Sequence, residues 1–317
     1  MLDRASGSVA HRSFSEFPEL LLPGDLVVRN DVRVRAARLY GADAEERIVE
    51  IFLLKPIDGD PRRWTALAKP SRRAKKGRSI AFPEGVTAVV EDVADDGKRV
   101  VRLDPEIDLT LLERIGHVPL PPYIRREPGA PDRAEDREAY QTVFAREPLA
   151  VAAPTAGLHF TTEIFDRIRA GGADVADLTL AVGAGTFKPV TVEDTEEHRL
   201  DAEEVFLPAS TSRRIAGVRT SGGRLVAVGT TVARALEAAA VRGGVSGDLR
   251  FETDLFIAPG FRFQAIDCLL TNFHLPRSTL LMLVSAFAGR EQVLAAYAEA
   301  VREEYRFYSF GDAMLIV

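Results

Sequence analysis

"RLVAVGTTVARALEAAAV", residues 224–241, changes character halfway. Leu225 to Val228 form a short apolar run typical of a buried strand. Gly229 breaks it, and from Thr230 onward good helix formers (Ala, Leu, Arg, Glu) take over. The stretch predicts a strand, a tight turn and a helix, the unit from which layered α/β sheets are built. Thr230 or Thr231 caps the helix. The unpaired N–H groups at such a helix start also suit an anionic ligand group.

The same alternation continues on both sides. "TEIFDRIRAGG" (162–172) reads as a helix ended by glycine, and "VADLTLAVGAG" (175–185) as a buried strand. "STSRRIAGVRTSGG" (210–223) and "REQVLAAYAEAVREEY" (290–305) read as helices. Near the N-terminus, Leu26 to Val28 after Pro23-Gly24-Asp25 form a buried strand, and "NDVRVRAARL" (30–39) alternates as a second. Residues 47–110 differ: "RIVEIFLLKP", "RWTALAKP", "RSIAF", "VTAVVEDV" and "KRVVRLD" are short β-like runs with turns between them, the pattern of a small barrel or sandwich. "PLPPYI" (119–124) is a proline-fixed connector and a domain boundary. The reading is an α/β domain over 1–34 and 119–317, with a β-rich domain inserted at 35–118.

Of 317 residues, 46% are hydrophobic and 28% charged, which fits an ordinary globular protein. No apolar run reaches the roughly 18 residues of a membrane helix. The N-terminus lacks the apolar core of a signal peptide. The single cysteine, Cys268, excludes an intrachain disulfide and a cysteine-based zinc site, so a cytoplasmic protein with no membrane partner and no metal is expected. The net charge of −6 argues against nucleic acid covering the whole surface but allows a local basic face.

Several stretches carry polar groups at glycine-rich breaks. "APTAGLHFT" (153–161) places Thr155 and Gly157 just before His159. "VGAGTFKPV" (182–190) runs a strand into Gly183 and Gly185, followed by Thr186 and Lys188; it is not a dinucleotide fingerprint, but such strand ends form ligand crevices. "EEHRLDAEE" (196–204) sets His198 among carboxylates including Glu203, either as solvated surface or as a tuned acid or base. "TNFHLPRSTLLMLVSAFAG" (271–289) sets Asn272 and His274 against an apolar run. The segment 61–78, "PRRWTALAKPSRRAKKGR", has Arg62, Arg63, Arg72, Arg73, Lys75 and Lys76 and no acid; it is either a solubilising tip or a phosphate-binding patch.

Taken with "NDVRV", "LPPYI", "YQTVFA", "AVGTTVARALE", "DLFIAPG" and "YRFYSFGDAMLI", these motifs make the chain similar to the S-adenosylmethionine:tRNA ribosyltransferase-isomerase family of queuosine biosynthesis over almost its full length. The resemblance implies an α/β domain with an inserted small antiparallel β-barrel. It implies transfer and isomerisation of the ribosyl unit of S-adenosylmethionine onto 7-aminomethyl-7-deazaguanine at the tRNA wobble position, giving epoxyqueuosine and releasing adenine and methionine. S-adenosylmethionine is then a substrate, and no true cofactor is expected; a monomer is expected. Matched candidates for proton transfer are His159, His198, Glu203 and His274. Thr155, Gly157, Gly185, Thr186, Lys188, Gly229, Thr230, Thr231 and Asn272 are candidates for binding the substrate, and Arg62, Arg63, Arg72, Arg73, Lys75 and Lys76 for RNA. On this reading Leu280 to Val284 are a buried anchor that orients Asn272 and His274.

The chain departs from the family pattern at three points. It begins just after a segment that usually precedes "NDVRV"-type strands, it has Leu200-Asp201-Ala202-Glu203 in place of Met-His-x-Glu, and it has Leu149-Ala150 in place of Gly-Ser. These departures keep two other readings open: a paralogue that gives the ribosyl unit to a small-molecule acceptor, and a catalytically silent RNA-binding protein.

Overall fold

The computed structural model describes residues 1–57, 59–183 and 200–317. In chain order the strands begin with β1 (Leu26–Asn30) and β2 (Val32–Val34), then β3 (Arg38–Ala42), β4 (Ile48–Ile57), β5 (Asp60–Lys69), β6 (Ser79–Ala81), β7 (Thr87–Val93) and β8 (Arg99–Asp104). Helices α1 (Leu109–Ile115) and α2 (Ala134–Ala139) precede β9 (Glu147–Ala150), α3 (Thr162–Ala170), β10 (Asp174–Leu180), β11 (Glu203–Leu207) and α4 (Ala209–Ser221). The chain ends with β12 (Leu225–Val228), α5 (Thr230–Val241), β13 (Leu249–Thr253), β14 (Cys268–Asn272), α6 (Thr279–Ala288), α7 (Arg290–Arg302) and β15 (Ala313–Ile316).

Two compact units result, one formed by Met1–Arg33, Gln141–Glu147 and Ala153–Val317, the other by Val34–Tyr140 and Pro148–Ala152. The first holds a seven-stranded sheet in the order β13-β11-β10-β1-β12-β14-β15. β10, β1, β12 and β14 run parallel; β11, β13 and β15 join by antiparallel pairing, with β13 and β15 at the edges. β1, β12 and β14 are buried at every position, as expected of parallel strands covered on both faces. Phe17, Phe160, Phe165 and Ile168 pack on one face against Val27, Val175, Val226 and Leu270. The strand–turn–helix at 224–241 is therefore β12, Gly229 and α5, as its sequence pattern predicts.

The second unit is a closed antiparallel barrel in the order β3-β4-β5-β8-β7-β6. Val49, Ile51 and Leu53 alternate along β4 with outward residues and are wholly buried, which is the period-two signature of a barrel interior. The barrel closes where Ala42 of β3 pairs with Ala81 of β6. A Cβ on the neighbouring Gly41 would lie 2.4 Å from the Ala81 carbonyl oxygen, so only glycine admits this closure.

Three expectations need adjustment. "NDVRVRAARL" is two strands rather than one, because the Ala37 N–H turns back onto the Arg35 carbonyl (2.7 Å) and the Arg35 guanidinium donates to the Leu54 carbonyl. Residues 119–140 group with the barrel instead of starting the α/β unit. His117 and the Val118 N–H both bond Asp132, and Arg137 donates to the Gly116 carbonyl, so the segment beyond the prolines is tied back to α1. Lastly, the charged stretch ending at 204 runs into strand β11, with Glu203 buried at its start.

Buried charge also fixes the entry to β14. Glu237 of α5 is wholly buried, and its carboxylate accepts hydrogen bonds from the backbone N–H groups of Gln264, Ala265 and Ile266. Glu237→Ala would leave three backbone donors, two of them in the core, without an acceptor and is expected to lower the unfolding free energy by about 3 kcal/mol in urea titrations. Glu237→Gln keeps one acceptor oxygen and is expected to lose roughly half as much.

Candidate functional site

Four parallel strands end along one edge of the sheet, and β1 has β10 on one side and β12 on the other. Ligands of open α/β sheets bind beyond such carboxyl ends, where the connections diverge. Asn30, Gly183, Gly229 to Thr231 and Asn272 follow or end these strands here. β11 runs antiparallel to β10, so its first residue, Glu203, reaches the same edge.

Asn272, 2% exposed, is the hub of this edge. The Thr155 hydroxyl donates to its Oδ1 (3.0 Å). Its Nδ2 contacts His159 Nε2 (3.2 Å) and donates to the Tyr308 carbonyl (3.2 Å). With both amide hydrogens used in this way, His159 Nε2 is the acceptor and the ring proton sits on Nδ1, an assignment made from the network. Thr155 and His159 are the two ends of a single 3₁₀ turn, Thr155–His159. A Cβ on Gly157 would lie 2.8 Å from Phe144 and 2.9 Å from Thr142, which is why the turn carries glycine. Burial pushes the His159 pKa below the ordinary histidine value, and the carboxylate of Asp312 partly opposes this. Phe14 packs against the imidazole at 5.1 Å between ring centres. Together with Arg12, Tyr305 and Asp312, these two rings line a cavity of about 550 Å³.

His274 is held differently. Its Nε2 lies 2.7 Å from the Thr271 hydroxyl, and its N–H donates to the Tyr297 hydroxyl. Burial lowers its pKa to about 4, so the ring is neutral at physiological pH. The expected anchor behind it is only half formed: Leu283 and Val284 are buried, whereas Leu280, Leu281 and Met282 stay partly exposed. Leu280 and Leu283 instead line a cleft of about 530 Å³.

That cleft brings together Glu203, Thr230, Thr231 and Arg234. Gly229 adopts φ +91 before α5, and no side chain caps the helix, so neither threonine plays the expected capping role. Glu203 Oε1 accepts from the Gly183 N–H (2.8 Å), and Oε2 is ion-paired with Arg234 Nη2. Arg234 is the functional group the motif analysis passes over. Its signal is an arginine one helical turn after Thr230 in "VARALEAAAV", where Glu237 is the only other charged residue. His198, Gly185, Thr186 and Lys188 lie outside the described residues.

In the other unit, the basic stretch is partly neutralised. Arg62 pairs with Asp104, Arg63 with Glu91 and Lys76 with Asp92, and Arg73 donates to the Ile48 carbonyl. Arg72, Lys75 and Arg78 are exposed and have no ion-pair partner among the described residues.

Comparison with known proteins gives one answer. The family model described as queuosine biosynthesis protein matches residues 1–316. A relative from Citrifermentans bemidjiense called S-adenosylmethionine:tRNA ribosyltransferase-isomerase is 49% identical over 99% of this chain and 91% of its own length. A relative of the same name from Symbiobacterium thermophilum is 48% identical over 100% of this chain and 92% of its own. The crystal structure of an S-adenosylmethionine tRNA ribosyltransferase from Thermotoga maritima is similar with a TM-score of 0.54 and 36% identity, covering 100% of this chain and 90% of that one. A chain matched along its whole length by that model and those relatives, with the α/β sheet and closed barrel described above, belongs to the queuosine biosynthesis protein family, the family of the S-adenosylmethionine:tRNA ribosyltransferase-isomerases.

Proposed function

We propose that this chain moves the ribosyl unit of S-adenosylmethionine onto the aminomethyl group of 7-aminomethyl-7-deazaguanine in the wobble position of a tRNA, isomerises it, and releases adenine and methionine. The observation that carries this reading is the Thr155–Asn272–His159 network at the carboxyl edge of the parallel strands. It joins two separate motifs of the family into one polar constellation beside the start of α5. S-adenosylmethionine is the donor substrate, consumed in each turnover, and no further cofactor enters.

The reaction needs a base for a C5′ hydrogen made acidic by the sulfonium, a neutral attacking amine and a proton for departing adenine. We assign proton transfer to His159, which burial keeps unprotonated at neutral pH and which borders an open cavity. His274, enclosed by Thr271 and Tyr297, is assigned to holding the end of β14 in place. Glu203, bound to Gly183 and Arg234, is assigned to positioning rather than to proton transfer. Thr155 and Asn272 orient His159 and offer polar groups to the ribose.

The acid limb follows from the direction of the His159 shift. A depressed pKa keeps the base neutral to lower pH, so kcat/KM for adenine release is expected to stay level from pH 8 down past the ordinary histidine value of about 6.5, falling only below it. Asp312→Asn removes the carboxylate that raises this pKa and is expected to move the limb further toward acid. His159→Gln is expected to lose about 10²- to 10⁴-fold in kcat and to lack the limb. A limb centred above the ordinary histidine value would remove His159 from the role.

For the tRNA, we assign phosphate contact chiefly to Arg72, Lys75 and Arg78. Arg62, Arg63 and Lys76 must first leave exposed ion pairs, which are individually weak. Replacing Arg72, Lys75 and Arg78 together with alanine is expected to weaken tRNA binding and to reduce the slope of log affinity against log salt by about 3. The pair Arg62→Ala and Arg63→Ala is expected to change that slope by less than 2. Equal slopes for the triple variant and the parent would remove the patch from the interface.

A further inference from the structure

Two helices point their amino ends at the 530 Å³ cleft: Thr230 and Thr231 begin α5, and Thr279 begins α6. α6 is capped by Ser278, whose hydroxyl accepts from the Leu281 N–H (3.2 Å). α5 has no such cap, and its first-turn amides have no intrahelical acceptor. Thr230, 7% exposed, lines the same cleft. Thr231 Oγ1 and Arg234 Nε are enclosed without a hydrogen-bond partner. Unpaired donors in an enclosed place are costly unless an acceptor comes to them.

Every one of these groups is a donor, and Arg234 is a full positive charge. Burial lowers its pKa only to about 10, so it stays protonated at neutral pH. Glu203 Oε2 is ion-paired with its Nη2 and is itself enclosed without a hydrogen-bond partner, as is Arg234 Nε. That carboxylate, fixed in turn by the Gly183 N–H, turns the guanidinium into a rigid fork. The walls beside it are apolar, among them Leu255, Ile257, Leu280 and Leu283, and Asp201 adds a carboxylate to the same lining. An anion-accepting fork, a nearby carboxylate and an apolar wall match an α-amino acid with a hydrophobic side chain. They match a phosphate poorly, since a phosphate offers nothing to Asp201 or to the leucines.

We propose that this cleft holds the amino-acid end of the sulfonium substrate, with the Arg234 fork, the α5 amides and the Thr230 and Thr231 hydroxyls gripping its α-carboxylate, Asp201 meeting its α-ammonium, and Glu203 acting as a positioning residue for Arg234. The inference rests on the reading of S-adenosylmethionine as donor. The 3₁₀ turn that carries His159 abuts this helix start: a Cβ on Gly229 would lie 3.6 Å from Ala156 Cβ. A donor anchored here by its methionyl end is thereby placed next to the segment assigned to the ribose.

The test compares S-adenosylmethionine with its decarboxylated counterpart, which keeps the sulfonium, ribose and adenine but lacks the α-carboxylate. Binding of each to the full chain is measured by calorimetry. The parent protein is expected to bind the decarboxylated donor about 10- to 100-fold more weakly, the range of one charge-assisted contact. Arg234→Lys keeps a cation beside Glu203 but loses the planar fork. It is expected to weaken S-adenosylmethionine by about the same factor and to leave the decarboxylated donor within about twofold of the parent. Thr230→Val, which preserves shape and does not touch the ion pair, is expected to narrow the discrimination by a smaller factor in the same direction. Thermal melting of both variants shows whether the fold is kept. If both variants weaken the two donors equally, or if the parent does not discriminate between them, the carboxylate assignment is overturned while the donor reading stands. If the parent binds neither donor, the donor reading itself fails and this inference goes with it.

Discussion

β1 is buried at all five positions and hydrogen-bonded to a parallel neighbour on each side. A strand placed in that way has no solvent face, and polar side chains belong past its carboxyl end, where the backbone ladders stop. Asn30 and Asp31 sit there: Asn30 exchanges two hydrogen bonds with Leu180, and Asp31 accepts from the Thr179 hydroxyl. β12 and β14 likewise place their polar neighbours at that edge, whereas Arg29 of β1 and Asp177 of β10, inside the sheet, are paired with each other. The site is the place at which the sheet runs out of apolar covering.

Buried charge is handled consistently. Glu203 has Arg234 and the Gly183 N–H, Glu237 has three backbone donors, and Asp25 has the Arg224 guanidinium at 2.6 Å. Each carboxylate has a cationic or backbone N–H partner because an unpaired one in these surroundings is prohibitive. The pairs differ in what they leave behind. Asp25–Arg224 and Glu237 join elements of the fold and do not line the cleft that Glu203–Arg234 borders. A structural ion pair and a positioning one are told apart by that neighbouring space.

Much of the architecture is legible in the chain because local chemistry and tertiary context agree. The alternation along 47–104 gives barrel strands, and the switch of period at Gly229 gives strand then helix. "TEIFDRIRAGG" and "STSRRIAGVRTSGG" are helices that stop at their glycines. The misreadings share a cause. Glu203 reads in sequence as either solvated surface or an acid–base group, and Arg234 goes unmarked, because neighbours in sequence do not show that each is enclosed by the other some thirty residues away. Likewise, the prolines at 119–124 signal a break in secondary structure, but Asp132 and Arg137 carry the chain back to the barrel.

Periodicity, glycine placement and motif wording are properties of neighbouring residues, and so the sequence by itself determined the α/β layering, the inserted barrel and the family. It also marked Thr155, His159, Thr230 and Asn272 as polar groups at breaks between elements. Only the tertiary structure decided what those groups do to one another. Asn272 orients His159 through an amide whose hydrogens are both committed, and Glu203 is bound to Arg234. Among the described residues, Arg72, Lys75 and Arg78 of the 61–78 stretch lack the ion-pair partners that hold Arg62, Arg63 and Lys76. Protonation state and hydrogen-bond commitment depend on what surrounds a group in space, and residues more than a hundred positions apart supply those surroundings.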